Sequence, residues 1–129
     1  MQIYMWGIME FDKPVPEDLR ETILGWYKDS IWGSFLFDKD GTELTLDYSN
    51  GDFGEDINHI AGFLKEHGIS VDPENSSFPY TGDYDGGYLW EDGKFHDFDQ
   101  EEFILRTLPT ETLMDELNRR NLRSNLQQN

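Results

Sequence analysis

Two runs of carboxylates are the side chains best placed to do chemistry in this chain. The first is Asp38, Asp40, Glu43, Asp47, Asp52, Glu55 and Asp56, offset only by Lys39. The second is Asp83, Asp85, Glu91, Asp92, Asp97, Asp99, Glu101 and Glu102, offset only by Lys94. Carboxylates at this density offer three kinds of chemistry: pairing with a cationic partner, coordination of a divalent ion, and acid–base catalysis.

Catalysis has the weakest support. The chain has no glycine-rich phosphate loop, no G-x-S-x-G elbow and no HExxH pair. Two carboxylates can cleave a glycoside, but among 27 acids some pair always falls at a suitable separation. The spacing therefore points to a non-enzymatic protein with no cofactor. Calcium fares little better. Asp38-Lys39-Asp40-Gly41 and Asp83-Tyr84-Asp85-Gly86 look like fragments of a calcium loop. An EF-hand loop needs glycine at its sixth position and glutamate at its twelfth, whereas glycine stands fourth in both segments. Glu55 and His59, one helical turn apart, make at most half a metal site. His67 suits a helix end and His96 sits among acids, so the histidines read as structurally incidental.

Charge pairing remains. The 129 residues hold 27 Asp and Glu against 10 Lys and Arg, a net charge of −17. Residues 1–105 carry 24 acids and 6 bases, while residues 106–129 carry 3 acids and 4 bases. Such a body is repelled by nucleic acid and anionic membranes and attracted to basic protein surfaces. Each single acid is adequately explained as a solvated, solubilising or helix-capping group. The ensemble is not, because like charge on one small body costs self-repulsion.

An aromatic segment adds a second kind of contact. Tyr80-Thr81-Gly82-Asp83-Tyr84-Asp85-Gly86-Gly87-Tyr88-Leu89-Trp90 sets rigid rings on a Gly-Asp framework, the composition of binding loops. Tyr84, Tyr88 and Trp90 are its expected anchors, with Tyr84 the most exposed. The competing reading buries Tyr88 and Trp90 against a sheet. The expected partner-binding set is therefore Asp83, Tyr84, Asp85, Tyr88, Trp90, Glu91, Asp92, Asp97 and Asp99, with Asp38, Asp40, Glu43 and Asp47.

Those residues need elements to position them. Nine Phe, six Tyr and four Trp give enough apolar mass for one folded domain over residues 1–123, with a polar, frayed tail at 124–129. The absence of cysteine removes disulfides, thiol catalysis and zinc–thiolate sites. Met1-Gln2-Ile3-Tyr4 lacks a signal-peptide n-region, and no run approaches the roughly 18 apolar residues of a membrane span. A cytoplasmic domain is the expectation.

Ile3–Phe11 reads as a strand. Pro16-Glu17-Asp18 then starts a helix carrying Leu19, Ile23, Trp26 and Tyr27 and ending near Ser30. Ile31–Phe37 and Thr42–Tyr48 read as a hairpin through the Asp38–Gly41 turn. This sets Glu43 and Asp47 opposite Leu44, Leu46 and Tyr48. Asp52 with Glu55 has capping-box spacing, followed by the helical stripe Ile57, Ile60, Ala61 and Leu64 and a C′ glycine at Gly68. Ile69–Val71 is the expected fourth strand. Phe78–Thr81, Gly87–Trp90 and Lys94–Phe98 are further short strands, and Gln100–Thr107 is a helix that Pro109 ends. Thr110 can cap a last helix bearing Leu113, Met114, Leu117 and Leu122, with Arg119, Arg120 and Arg123 near its end. Packing on its own sheet is the simpler role for that helix, and homodimerisation is the alternative.

The order β-α-β-β-α-β predicts an α+β domain, an antiparallel sheet with two helices on one face as in ferredoxin-like sandwiches. The C-terminal hairpin and helices add to that unit. Function follows as an expectation: an inhibitor that occludes a basic, nucleic-acid-binding surface, by analogy with phage anti-defence proteins such as anti-CRISPR or anti-restriction inhibitors. An immunity protein that neutralises a nuclease toxin differs only in whose nuclease is bound. A small-ligand or metal-binding domain using the aromatic segment as a pocket is the alternative from another class.

Overall fold

The computed structural model describes residues 2–108 and residue 119. The expected final helix with Leu113, Met114, Leu117 and Leu122, its arginines 120 and 123, and the 124–129 tail lie outside the described residues, as does the Tyr48 side chain.

The first strand is broken in two, β1 (Ile3–Met5) and β2 (Gly7–Glu10). At the break Trp6 donates its N–H to the Pro79 carbonyl at 3.1 Å, and Gly7 takes φ +143°, where a Cβ would collide with Ser77 and Phe78. Helix α1 (Glu17–Trp26) follows, then β3 (Gly33–Phe37), β4 (Glu43–Ser49) and helix α2 (Gly54–Glu66). The chain closes with β5 (Ser77–Gly82), β6 (Gly86–Glu91), β7 (Lys94–Asp99) and helix α3 (Gln100–Thr107).

All pairings are antiparallel, in the order β3-β4-β2-β5-β6-β7, with β1 beside β5. Each helical crossover therefore skips a strand: β2 and β3 flank β4, and β4 and β5 flank β2. This is the split β-α-β connectivity of the ferredoxin-like sandwich, and the α+β expectation holds. Its fourth strand is not the expected one. Ile69–Val71 contributes only a bridge from Val71 to Phe11, and β5 takes the place beside β1 and β2. Between them Asp72 caps a short 3-10 turn at Pro73–Asn75, accepting from the Glu74 N–H.

Helices α1 and α2 share one face of the sheet. Trp26 meets Phe63 edge-on at 5.0 Å, and the Tyr27 hydroxyl donates to Asp56 at 3.0 Å. Beneath them Met5, Met9, Ile23, Leu44, Leu46, Ile57, Ile60, Leu64 and Phe78 form the core. Helix α3 lies on the other face. Successive strand residues point to opposite sides, and Tyr88 packs on Gly54 of α2 while Gly87 packs on Phe103 of α3. Glycine is required at both positions, since a Cβ on either would overlap the facing ring. Among the described residues no helix is long and apolar enough to cross a membrane.

Candidate functional site: an acidic end of the sheet

The fold redistributes the two linear acid runs by end rather than by sequence. Ile3 pairs with Gly82, Gly51 donates to the Ile3 carbonyl, and Gly86 pairs with Asp99. The start of β1, the β5–β6 turn, the end of β7 and the first turns of α2 and α3 therefore meet at one end. Asp52, Glu55 and Asp56 from the first run join Asp83, Asp85, Asp97, Asp99, Glu101 and Glu102 from the second there.

The remaining expected residues stand elsewhere. Glu91 and Asp92 occupy the β6–β7 turn at the far end of a six-residue strand, roughly 17 Å away at 3.3 Å per residue. Asp38 and Asp40 sit in the β3–β4 turn, also at that far end. Glu43 and Asp47 lie on β4, on the face opposite buried Leu44 and Leu46 as expected. A single site containing all thirteen expected residues does not form.

Neutral groups hold the carboxylates at the acidic end. Asp52 accepts the Gly54 N–H at 2.8 Å and the Tyr88 hydroxyl at 2.8 and 3.0 Å. Its bond to Gly54, rather than to Glu55, replaces the expected capping box. Asp83 accepts the Gln2 N–H at 2.8 Å, Asp85 the Thr81 hydroxyl at 2.6 Å, and Asp97 the Tyr80 hydroxyl at 2.6 Å. Asp99 caps α3 through the Glu102 N–H at 3.0 Å. Such bonds orient a carboxylate without cancelling its charge. One cation bridges the two ends: Arg106 pairs with Glu91 of the far turn at 2.7 Å, reaches Glu102 of the acidic end at 3.8 Å and lies over the Phe98 ring at 4.3 Å.

The tyrosines register this field. Burial, then the hydrogen bond to Asp97 and the charges of Asp97, Asp52 and Asp99, push the Tyr80 phenol far above its ordinary 10.0. Tyr88 moves the same way through burial, its bond to Asp52 and the nearby charges of Asp52 and Asp97. Tyr27 follows through burial and Asp56. A groove of about 360 Å³ runs among Asp52, Tyr80, Tyr84, Asp85, Asp97 and Asp99.

Two expected anchors are corrected. Tyr88 is 8% exposed and belongs to the core, wedged under α2 with its hydroxyl on Asp52. Trp90 is half-buried and packs edge-on against Phe95 at 5.0 Å. The period-two alternation turned both rings inward, toward the helices. Tyr84, 63% exposed in the β5–β6 turn, stays outward.

Sequence reasoning missed Ile31 and Trp32, which precede β3 instead of forming its start and are 80% and 58% exposed. The Trp32 carbonyl accepts the Asn50 N–H at 2.6 Å, which sets this pair at the same end as Asp52. Strand-like composition had placed both in β3; the strand instead begins at Gly33, which pairs with Ser49 and whose missing side chain admits the Phe53 ring. The histidines are absorbed by aromatic contacts, His59 with Trp26 at 4.7 Å and His67 with Phe63 at 4.6 Å. His96 faces Phe98, and its buried Nε2 has no hydrogen-bond partner. Among the described residues no group of three His, Asp or Glu is placed to hold a metal ion.

Comparison with known proteins returns no match among family models, curated proteins or solved structures. The site's chemistry therefore rests on its own geometry.

Proposed function

We propose that this chain is a non-enzymatic binding protein whose acidic sheet end covers a cationic, nucleic-acid-binding surface of a protein partner, as an inhibitor of a nuclease or related enzyme would. The observation that carries the proposal is the position of Asp83, Asp85 and Asp97. Helix first turns reward acids, and that accounts for Glu55, Asp56, Asp99, Glu101 and Glu102 without any partner. No helix dipole rewards a turn or a mid-strand position. Yet Asp85 and Asp97 line the same groove, with Asp83 in the turn beside it, each fixed by a neutral donor at a cost in mutual repulsion. A cationic surface relieves that repulsion on docking.

Long-range attraction then sets the association rate, and added salt slows it because screening operates over about 8 Å at physiological ionic strength. Tyr84 supplies an exposed ring at the crest of the charge. Recovery of partners from a cell lysate on immobilised protein, at low and at high salt, tests this. Nucleic-acid-binding proteins retained at low salt, and lost when Asp83, Asp85, Asp97 and Asp99 are all changed to Asn, are the expected result. Retention of the same proteins by the neutralised variant contradicts it.

A further inference from the structure

The sheet has two outer edges, and they are finished differently. On β7 the Asn58 side chain stands in for a missing strand: its amide donates to the Phe95 carbonyl at 3.0 Å and accepts the Phe95 N–H at 2.7 Å. Lys94, Asp97 and Asp99 put charge along the same strand. Both are devices that stop a second strand from pairing. The β3 edge has neither. Ser30–Phe37 holds no charged residue, and among the described residues no hydrogen bond reaches the outer edge of Gly33–Phe37. Leu36 is 53% exposed, and Ile31 and Trp32 extend the apolar strip toward the acidic end. A bulge between Ser34 and Phe35 is the one irregularity along it.

We infer that the β3 edge is where the partner docks, by adding an extended segment of its own that carries Lys or Arg as a further antiparallel strand. The backbone supplies the pairing and Trp32 and Leu36 the side-chain contact. Charge selects this occupant. The strip runs from the acidic end to the turn bearing Asp38 and Asp40, so a cationic strand finds carboxylates at both of its ends. A second copy does not suit it. Two bodies of net charge −17 repel. This inference rests on the cationic-partner reading and adds the mode of recognition.

The test uses the full chain with a ten-residue peptide of alternating lysine and valine, read by amide hydrogen exchange and chemical shifts. Slowing of exchange within Gly33–Phe37 by about tenfold or more, absent with an alternating glutamate–valine peptide and reversed by Leu36→Lys, is the expected result. Shifts confined to Asp83, Asp85 and Asp97 overturn the edge while leaving the cationic-partner reading standing. No response anywhere overturns both. Exchange already slow without peptide also overturns it: a species of doubled mass in ultracentrifugation assigns the edge to a second copy, and a monomer assigns it to the chain's own C-terminal residues. Equal slowing by the glutamate peptide overturns the charge argument.

Discussion

At one end of the sheet Asp52, Asp83, Asp85, Asp97 and Asp99 accept hydrogen bonds from hydroxyls and backbone amides, and their charge is left to act outward. At the other end Glu91 meets the Arg106 guanidinium, while Asp38 folds back on Thr42 and Glu43 to close its own turn. Both ends are acidic by composition. A cation consumes the charge of Glu91, whereas the neutral donors to Asp38 and to the acidic end only aim theirs; the difference lies in how many aimed carboxylates gather at one end. Counting acids along the chain cannot make that distinction.

The comparison is broken most severely through Gly54. A methyl group there overlaps the Tyr88 ring, and relieving the clash displaces Tyr88 from Asp52. Gly54→Ala is expected to cost about 3 kcal/mol, lowering the melting temperature by roughly 10 °C in thermal unfolding. Tyr88→Phe removes the hydrogen bond to Asp52 without the clash, and about 1 kcal/mol is the expected loss. A Tyr88→Phe protein as stable as the parent would show that the tyrosine–carboxylate contacts do not hold the acidic end together.

Alkaline titration sharpens the contrast in another way. Tyr27, Tyr80 and Tyr88 are raised in the folded state above 10.0, the value expected when unfolded. The unfolded chain then gives up these protons first, so their contribution to stability is complete below pH 10.0 and is lost as pH rises beyond it. Phenolate absorbance from these three residues should appear together with unfolding. In Asp97→Asn the Tyr80 phenol should ionise at lower pH. An unchanged Tyr80 titration would deny the field.

The smallest effect belongs to Asp38 at the far end. Its carboxyl lies below 3.8, chiefly through the Thr42 hydroxyl and then through backbone N–H groups. Its contribution is present above pH 3.8 and fades as pH falls below it. Asp38→Asn should shift the acid limb of the unfolding curve less than Tyr88→Phe shifts the melting temperature.

The elements legible in the sequence are those set by adjacent residues. Asp40-Gly41 marked the hairpin, with Gly41 at φ +74°; Gly68 ended α2 at φ +78°; and Gln100–Thr107 came out with the bounds expected before Pro109. What was not legible depends on long-range pairing. Ile69–Val71 has better strand composition than Ser77–Gly82, but the latter meets β1 across the full Ile3–Met5 register while Val71 finds only Phe11. Period two offered the inward turn of Tyr88 as one of two readings; what selects it is α2 above, with a glycine at Gly54 to receive the ring. The acidic end itself was half legible: each acid was visible, but which of them share an end is a property of strand order. The β3 edge was hidden because Ile31 and Trp32 look like core residues.

The most direct test takes a partner recovered at low salt and measures its affinity for the parent chain and for the Asp83, Asp85, Asp97 and Asp99→Asn variant across a salt series. Asn keeps the cap at Asp99 and the size of every side chain, so the variant remains folded. Affinity that falls steeply with salt for the parent, and lies about a hundredfold lower for the variant at low salt, is the predicted result. Equal affinities with a flat salt dependence would contradict the claim that the acidic end exists to meet a cationic surface.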